Sequence, residues 1–209
     1  MRIILRPKLL LATNNIGKVK ELRNLLQNIP FEIVTPKELG IDMDVEENGT
    51  TYAENARLQA CTLAEVSGLL SLADDSGLEV DALNGEPGVM SARYAGESAS
   101  DVERVNYLLS KLKNIPKRER AARFRCVIAI ASPGGQVEFC EGECNGIIAI
   151  EPCGKNGFGY DPIFCFPKYG KTMAELPIEI KNRISHRGRA AQKARLLLEK
   201  MAQKDTKNA

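Results

Sequence analysis

ARFRCVIAIASPGGQVEFCEGECNGIIAIE, Ala122 to Glu151, alternates charged and apolar residues at its start. It then runs apolar, turns through Pro133, Gly134 and Gly135, and returns as a second extended run. Two such runs joined by a short glycine-containing turn predict a long antiparallel hairpin. The segments upstream have a different rhythm. Leu9 to Thr13 reads as a short buried strand, and Gly17 to Gln27 as a helix with Val19, Leu22, Leu25 and Leu26 on one face. Thr51 with Glu54 forms a capping-box pattern that opens a helix to about Val66, and Ser100 with Glu103 repeats it ahead of VNYLLSKL. Leu69 to Ala73 is a further apolar strand, and a closing helix, roughly Arg189 to Gln203, carries Ala190, Ala194, Leu197, Leu198 and Met201 on its apolar face. Strands interleaved with helices, together with one long hairpin, predict an α/β fold with a mixed sheet. No Gly/Ser-rich or Pro-rich linker interrupts the chain. The expectation is therefore one domain over residues 1–209, built as two lobes, with a frayed tail at 204–209.

Composition narrows the classes of function. With 209 residues, 44% hydrophobic and 27% charged, the chain can bury one sizeable core. Its net charge of +2 gives no field that would draw it onto nucleic acid or an anionic membrane. No apolar run approaches the roughly 18 residues of a membrane span. MRIILRPKLLLAT lacks the apolar core and cleavage site of a secretory signal, so a cytoplasmic location is expected. The six cysteines are irregularly spaced, contain no CxxC pair and stand beside a single histidine, His186, which reads as reduced, mostly buried thiols rather than a zinc site.

Four segments carry chemistry. In TNNIGK (Thr13, Asn14, Asn15, Ile16, Gly17, Lys18) a strand ends in small polar residues and opens a helix, placing backbone N–H groups, the positive helix end and an ammonium around one point that suits a phosphate. Taken alone, it reads equally well as a helix cap with a solvated lysine. Glu46 and Glu47 precede a glycine in a polar loop, and Asp74 and Asp75 follow the apolar strand at 69–73. A few hard oxygen ligands are what Mg²⁺ uses when substrate phosphates complete its shell, although a solvated loop and a turn cap would carry the same acids. CGKNGFGYDP brackets Phe158 and Tyr160 with glycines, offering an aromatic for a flat ligand with Asp161 beside it, or a core plug within a turn. KNRISHRGR, Lys181 to Arg189, places basic residues and His186 behind a capping Ser185, as an anion or base-edge site or a solvated basic turn.

The segments LLLATNNIGKVKEL, ENARLQA, LADDSGLEVDALNGEPGVMSARYAG, GFGYDPIF and ISHRGRA, in that order from about Lys8 to Lys200, resemble the inosine triphosphate pyrophosphatases, also called XTP/dITP diphosphatases. The resemblance implies Mg²⁺-dependent hydrolysis of ITP, dITP or XTP between the α- and β-phosphates, releasing the monophosphate and pyrophosphate. It implies a long mixed sheet with two lobes around a central active-site cleft, usually as a homodimer. Carried over by residue, the phosphate loop falls on Thr13 to Lys18 and the metal ligands on Glu47 and Asp75. Asp75 is also the implied proton acceptor, with Ser76 touching substrate. Base contacts fall on Phe158, Gly159, Tyr160, Asp161, Lys181, His186 and Arg187. Two positions depart from the pattern. Asn14 stands where the family has glycine, and asparagine is the residue that next best tolerates positive φ. Gln59 stands where the family has a lysine that reaches the phosphates, a lost charge-assisted contact of roughly 1.5–3 kcal/mol if uncompensated. Two rival readings are a pyrophosphatase for pyrimidine or modified nucleotides, and a nucleotide sensor without turnover.

Overall fold

The computed structural model describes residues 6–208, with side chains described through Gln203. Its strands are β1 (Lys8–Leu11), β2 (Glu32–Val34), β3 (Leu70–Val80), β4 (Ala121–Ala131), β5 (Val137–Ile148), β6 (Phe164–Phe166) and β7 (Lys171–Thr172). Its α-helices are α1 (Ile16–Leu25), α2 (Tyr52–Ser67), α3 (Asp101–Lys111), α4 (Ile178–Ile184) and α5 (His186–Asn208). One seven-stranded sheet runs in the order β2-β1-β3-β4-β5-β6-β7. β1 pairs in parallel with β2 and β3, as helical crossovers require, while β6 pairs antiparallel with β5 and β7. The sheet is therefore mixed and the fold α/β, as expected.

The chain divides into two compact units. The first contains residues up to Asp75, Val127–Glu141 and Arg189 onward. Its buried hydrophobics include Leu9, Leu10 and Leu11 of β1, Leu22 of α1, Ala56, Ala60 and Leu63 of α2, and Ala190, Ala194 and Leu198 of α5. The second contains Ser76–Cys126 and Gly142–Gly188. Its core gathers Leu78 and Val80 with Val105 and Leu108 of α3, Phe124, Ile148, Tyr160, Phe164 and Phe166.

Both capping boxes form. Thr51 accepts from the Glu54 N–H while Glu54 reaches back to the Thr51 backbone, and Ser100 and Glu103 do the same for α3. The turn between β4 and β5 closes through the Ser132 N–H on the Gln136 carbonyl at 2.9 Å. Several boundaries differ from the sequence expectation. β3 does not stop at Ala73 but continues through Asp74, Asp75, Ser76 and Gly77 to Val80, because its apolar run resumes at Leu78 and Asp74 and Asp75 are buried with it. α5 begins at His186, behind Ser185, whose hydroxyl accepts from the Gly188 N–H at 3.1 Å, and its backbone is helical to Asn208. The fraying expected over 204–209 falls outside the described side chains. The six thiols are free. Cys126, Cys140 and Cys144 are buried, Cys61 and Cys165 half-buried, and Cys153 exposed. Among the described residues no helix is long and apolar enough to cross a membrane.

Candidate active site

In the first unit the site grows from the middle of β3. Side chains alternate along a strand, so Asp74 and Asp75 leave opposite faces of the sheet, and adjacency in sequence does not force their carboxylates together. Asp74 is fully buried on the side of α1. Lys18 Nζ donates to the Asp74 carbonyl at 2.7 Å and lies 3.7 Å from its Oδ1. Lys18 thus stands at the end of the loop that caps α1. Within that loop the Asn15 N–H reaches Thr13 Oγ1 at 3.2 Å, and Asn15 Oδ1 accepts from the Lys18 N–H at 3.0 Å. Asn14, Asn15 and Ile16 are exposed at its tip. The first-turn N–H groups of Ile16 and Gly17 have no acceptor within the helix, as at any helix start. Asn14 does not adopt the positive φ anticipated for a glycine substitute, since Asn28 and Asn84 are the non-glycine residues in that region among those described. Its side chain instead donates to Asp44 Oδ1 at 3.1 Å, tying the loop to the 41–50 segment.

Asp75 faces α2. It is 5% exposed, and Asn55 Nδ2, itself buried, donates to its Oδ2 at 3.1 Å. The same Asn55 accepts the Gly49 N–H through Oδ1 at 2.8 Å, so one amide joins Asp75 to the loop that carries Glu47. Gly49 is required there, because a Cβ would stand 2.6 Å from Asn55 Oδ1. One turn along α2, Gln59 Nε2 donates to Glu47 Oε1. Asn55 and Gln59 are i and i+4 on one helix face, and each holds one acid. Both are neutral donors, so neither cancels the charge it positions. Burial pushes the Asp75 carboxyl up to about 6, with Lys18 and the Asn55 hydrogen bond pulling against it and the charges of Glu47 and Asp74 adding to it. Glu46 is exposed on the loop.

The donor set fits a small divalent cation. Glu47 and Asp75 offer oxygen ligands in a negative, partly desolvated setting, and among the described residues no group of three or more His, Cys, Asp or Glu could enclose a metal alone. Mg²⁺ characteristically takes one or two carboxylates and completes its shell with phosphates and waters.

In the second unit the loop after β5 supplies an aromatic and its frame. Phe158 is half-buried, with Lys181 Nζ 5.5 Å and Arg187 Cζ 5.4 Å from its ring centroid. Tyr160, expected to share the loop's surface, is instead 4% exposed in the core, with its hydroxyl donating to the Ser91 carbonyl at 2.9 Å. Asp161 is also buried. Its Oδ2 accepts from Lys181 Nζ and, at 3.0 Å, from the Phe158 N–H, which makes it the frame of the loop. Gly157 has φ +77°, and a Cβ there would lie 1.8 Å from that same Oδ2. The Gly159 N–H donates to Asp101 Oδ2 at 2.7 Å. His186 is buried, stacked on Phe124 at 4.5 Å, and its Nδ1 lies 3.9 Å from Cys144 Sγ. Arg187 donates to Ser76 Oγ at 2.8 Å.

Each unit therefore assembles one set of the expected residues: Thr13 to Lys18, Glu47 and Asp75 in the first, and Ser76, Phe158, Lys181, His186 and Arg187 in the second. The resemblance gives no role to Asn55 within ENARLQA. Two amides spaced i, i+4 just inside a capping box, on a helix following an acidic loop, were the signal available for it.

The model of the Ham1 family matches residues 9–196. The dITP/XTP pyrophosphatase of Desulforamulus reducens is 53% identical over 194 residues, covering 93% of this chain and 96% of that protein. The dITP/XTP pyrophosphatase of Bacillus subtilis is 45% identical over 197 residues, 94% of this chain and all of that one. The Ham1 protein structures of Staphylococcus aureus and Coxiella burnetii superpose with TM-scores of 0.82 and 0.84 at 44% and 42% identity, each covering 93% of this chain and 99% of its own.

Proposed function

The chain belongs to the Ham1 family, and from that membership we propose that it is a nucleoside triphosphate pyrophosphatase acting on dITP, XTP and ITP. It would cleave between the α- and β-phosphates, release pyrophosphate and keep these bases out of the nucleotide pool. The observation that carries the reading is the pair of carboxylates, Glu47 and Asp75, each held by an amide one turn apart on α2. The names of relatives support the substrate class, and the arrangement of the side chains supports the roles.

Glu47 and Asp75 would hold Mg²⁺, which when bound supplies charge screening for the triphosphate and a more acidic water. Asp75 accepts the proton of the water that attacks the α-phosphorus. Its elevated proton affinity suits a base working near neutral pH. Lys18, set against Asp74, and the N–H groups that open α1 receive the phosphate charge that grows as pyrophosphate leaves. Thr13 and Asn15 shape that loop.

For the base, Phe158 offers a stacking face beside the Lys181 and Arg187 cations. Arg187 and His186 are donors suited to a 6-oxo purine, and the 6-amino group of adenine would leave them unsatisfied. Ser76 orients Arg187 by accepting its N–H, and Asp161 with Gly159 and Tyr160 holds the Phe158 loop in shape. A single domain of two lobes, a homodimer and a cytoplasmic location belong to the same proposal; the homodimer rests on the family resemblance, the other two on the sequence pattern.

The test is pyrophosphate release from ITP, XTP, dITP, GTP, ATP and dUTP with and without Mg²⁺. Metal-dependent turnover of the first three, with little from GTP and ATP, is the expected result. Preferential cleavage of dUTP would assign the scaffold to pyrimidines, and binding of ITP without cleavage of any nucleotide would make it a sensor.

A further inference from the structure

Gln59 has two polar atoms in different situations. Nε2 donates to Glu47 Oε1, while among the described residues Oε1 is buried and accepts no hydrogen bond. Exchanging the two atoms would not relieve this, because it would turn the amide oxygen toward a carboxylate. A buried acceptor left unmatched costs about 1–3 kcal/mol, and where folded proteins keep one, a functional role, a water or an ion is among the explanations. The neighbouring amide, Asn55, is matched at both ends by the Gly49 N–H and Asp75. The unmatched atom on this face of α2 therefore sits beside an acid assigned to the cation.

We propose that Gln59 is a positioning residue for the cation site: Nε2–H fixes the Glu47 carboxylate, and Oε1 is the acceptor kept for a water of the hydrated divalent ion. The inference rests on the proposed function, since it takes Glu47 as a ligand. It also gives position 59 a role other than phosphate contact. A lysine here could still hold Glu47 through its ammonium, but it would neutralise the charge that attracts the cation and could not accept from its hydration shell. The amide does the holding at no cost in charge. Loss of positive charge next to the phosphates and retention of negative charge for the ion are then two faces of one substitution, and the second favours metal binding.

The experiment uses the full-length chain and Mn²⁺ alone, with bound and free ion separated by the intensity of the free-ion electron paramagnetic resonance signal. Gln59→Leu removes donor and acceptor at similar volume, and Gln59→Lys keeps a donor while removing the acceptor. Both are expected to weaken Mn²⁺ binding at least tenfold. In chelator the melting temperature of Gln59→Leu is expected to equal or exceed that of the unaltered protein, because the unmatched acceptor is gone; a merely structural amide would lower it. Mn²⁺ affinity within twofold of the unaltered protein in either folded variant would overturn the inference. An unaltered chain that binds no Mn²⁺ would overturn the two-carboxylate site itself, a distinguishable result.

Discussion

Asp75 is costly to the metal-free fold, and that cost is measurable. Its carboxyl is moved from 3.8 to about 6, chiefly by burial, so the folded chain holds the proton more tightly than the unfolded one. Stability from this group is therefore present at low pH and lost as pH rises through about 6, amounting to about 3 kcal/mol at neutrality. Asp75→Asn removes that cost and keeps a side-chain oxygen for Asn55. In chelator it is expected to melt above the unaltered protein at neutral pH, with the gap narrowing toward pH 4, while pyrophosphate release is lost. Near-normal turnover would remove Asp75 from its assigned role. Lys181 and Asp161 present the complementary case, a buried pair with each side chain 5% exposed. Lys181→Met leaves a buried uncompensated carboxylate and is expected to cost about 3–5 kcal/mol in denaturant unfolding. Combining it with Asp161→Asn should recover much of the loss, and a strictly additive double mutant would deny the coupling. The acids and the basic turn were legible as residue types. Their partners were not, because Asn55 and Asp75 are twenty positions apart and nothing in the local pattern joins them.

At the scale of elements, α2 is the part on which the acid pair depends. Its start was legible because a capping box is a local, four-residue signal, and it formed as read. Thr51→Ala removes the side-chain acceptor for the Glu54 N–H, at about 1 kcal/mol or about 2–4 °C in melting temperature for a chain of this size. Because Asn55 lies in the next turn, kcat is expected to fall with it while the KM for ITP changes little. Calorimetry and steady-state kinetics on one preparation check both. β3 was only half legible. Hydrophobic patterning ends at Ala73, and Asp-Asp-Ser-Gly gives no strand signal, yet Lys18 of α1 and Asn55 of α2 hold Asp74 and Asp75, and burial of Leu78 and Val80 in the second unit's core carries the strand to its end. The same limit hid Tyr160, whose glycine-rich surroundings resembled an exposed loop while its ring fills the second unit's core.

For the whole molecule, the long hairpin β4–β5 and the apolar runs of β1 and β3, interleaved with capped helices, were enough to give a mixed sheet. The short strands β2 and β6, three residues each, the two-residue β7 and the seven-residue α4 were too short to leave a periodic trace. Function follows the chain in the same way. Asp75, which closes the first segment of the first unit, is joined by one peptide bond to Ser76, the residue of the second unit that receives Arg187. The central claim is that water activated at Asp75 attacks the α-phosphorus. Hydrolysis of ITP in ¹⁸O-labelled water, with both products read by mass spectrometry, tests it directly. One ¹⁸O in the inosine monophosphate and none in the pyrophosphate is the expected result. Label in the pyrophosphate, or release of orthophosphate in its place, would contradict it.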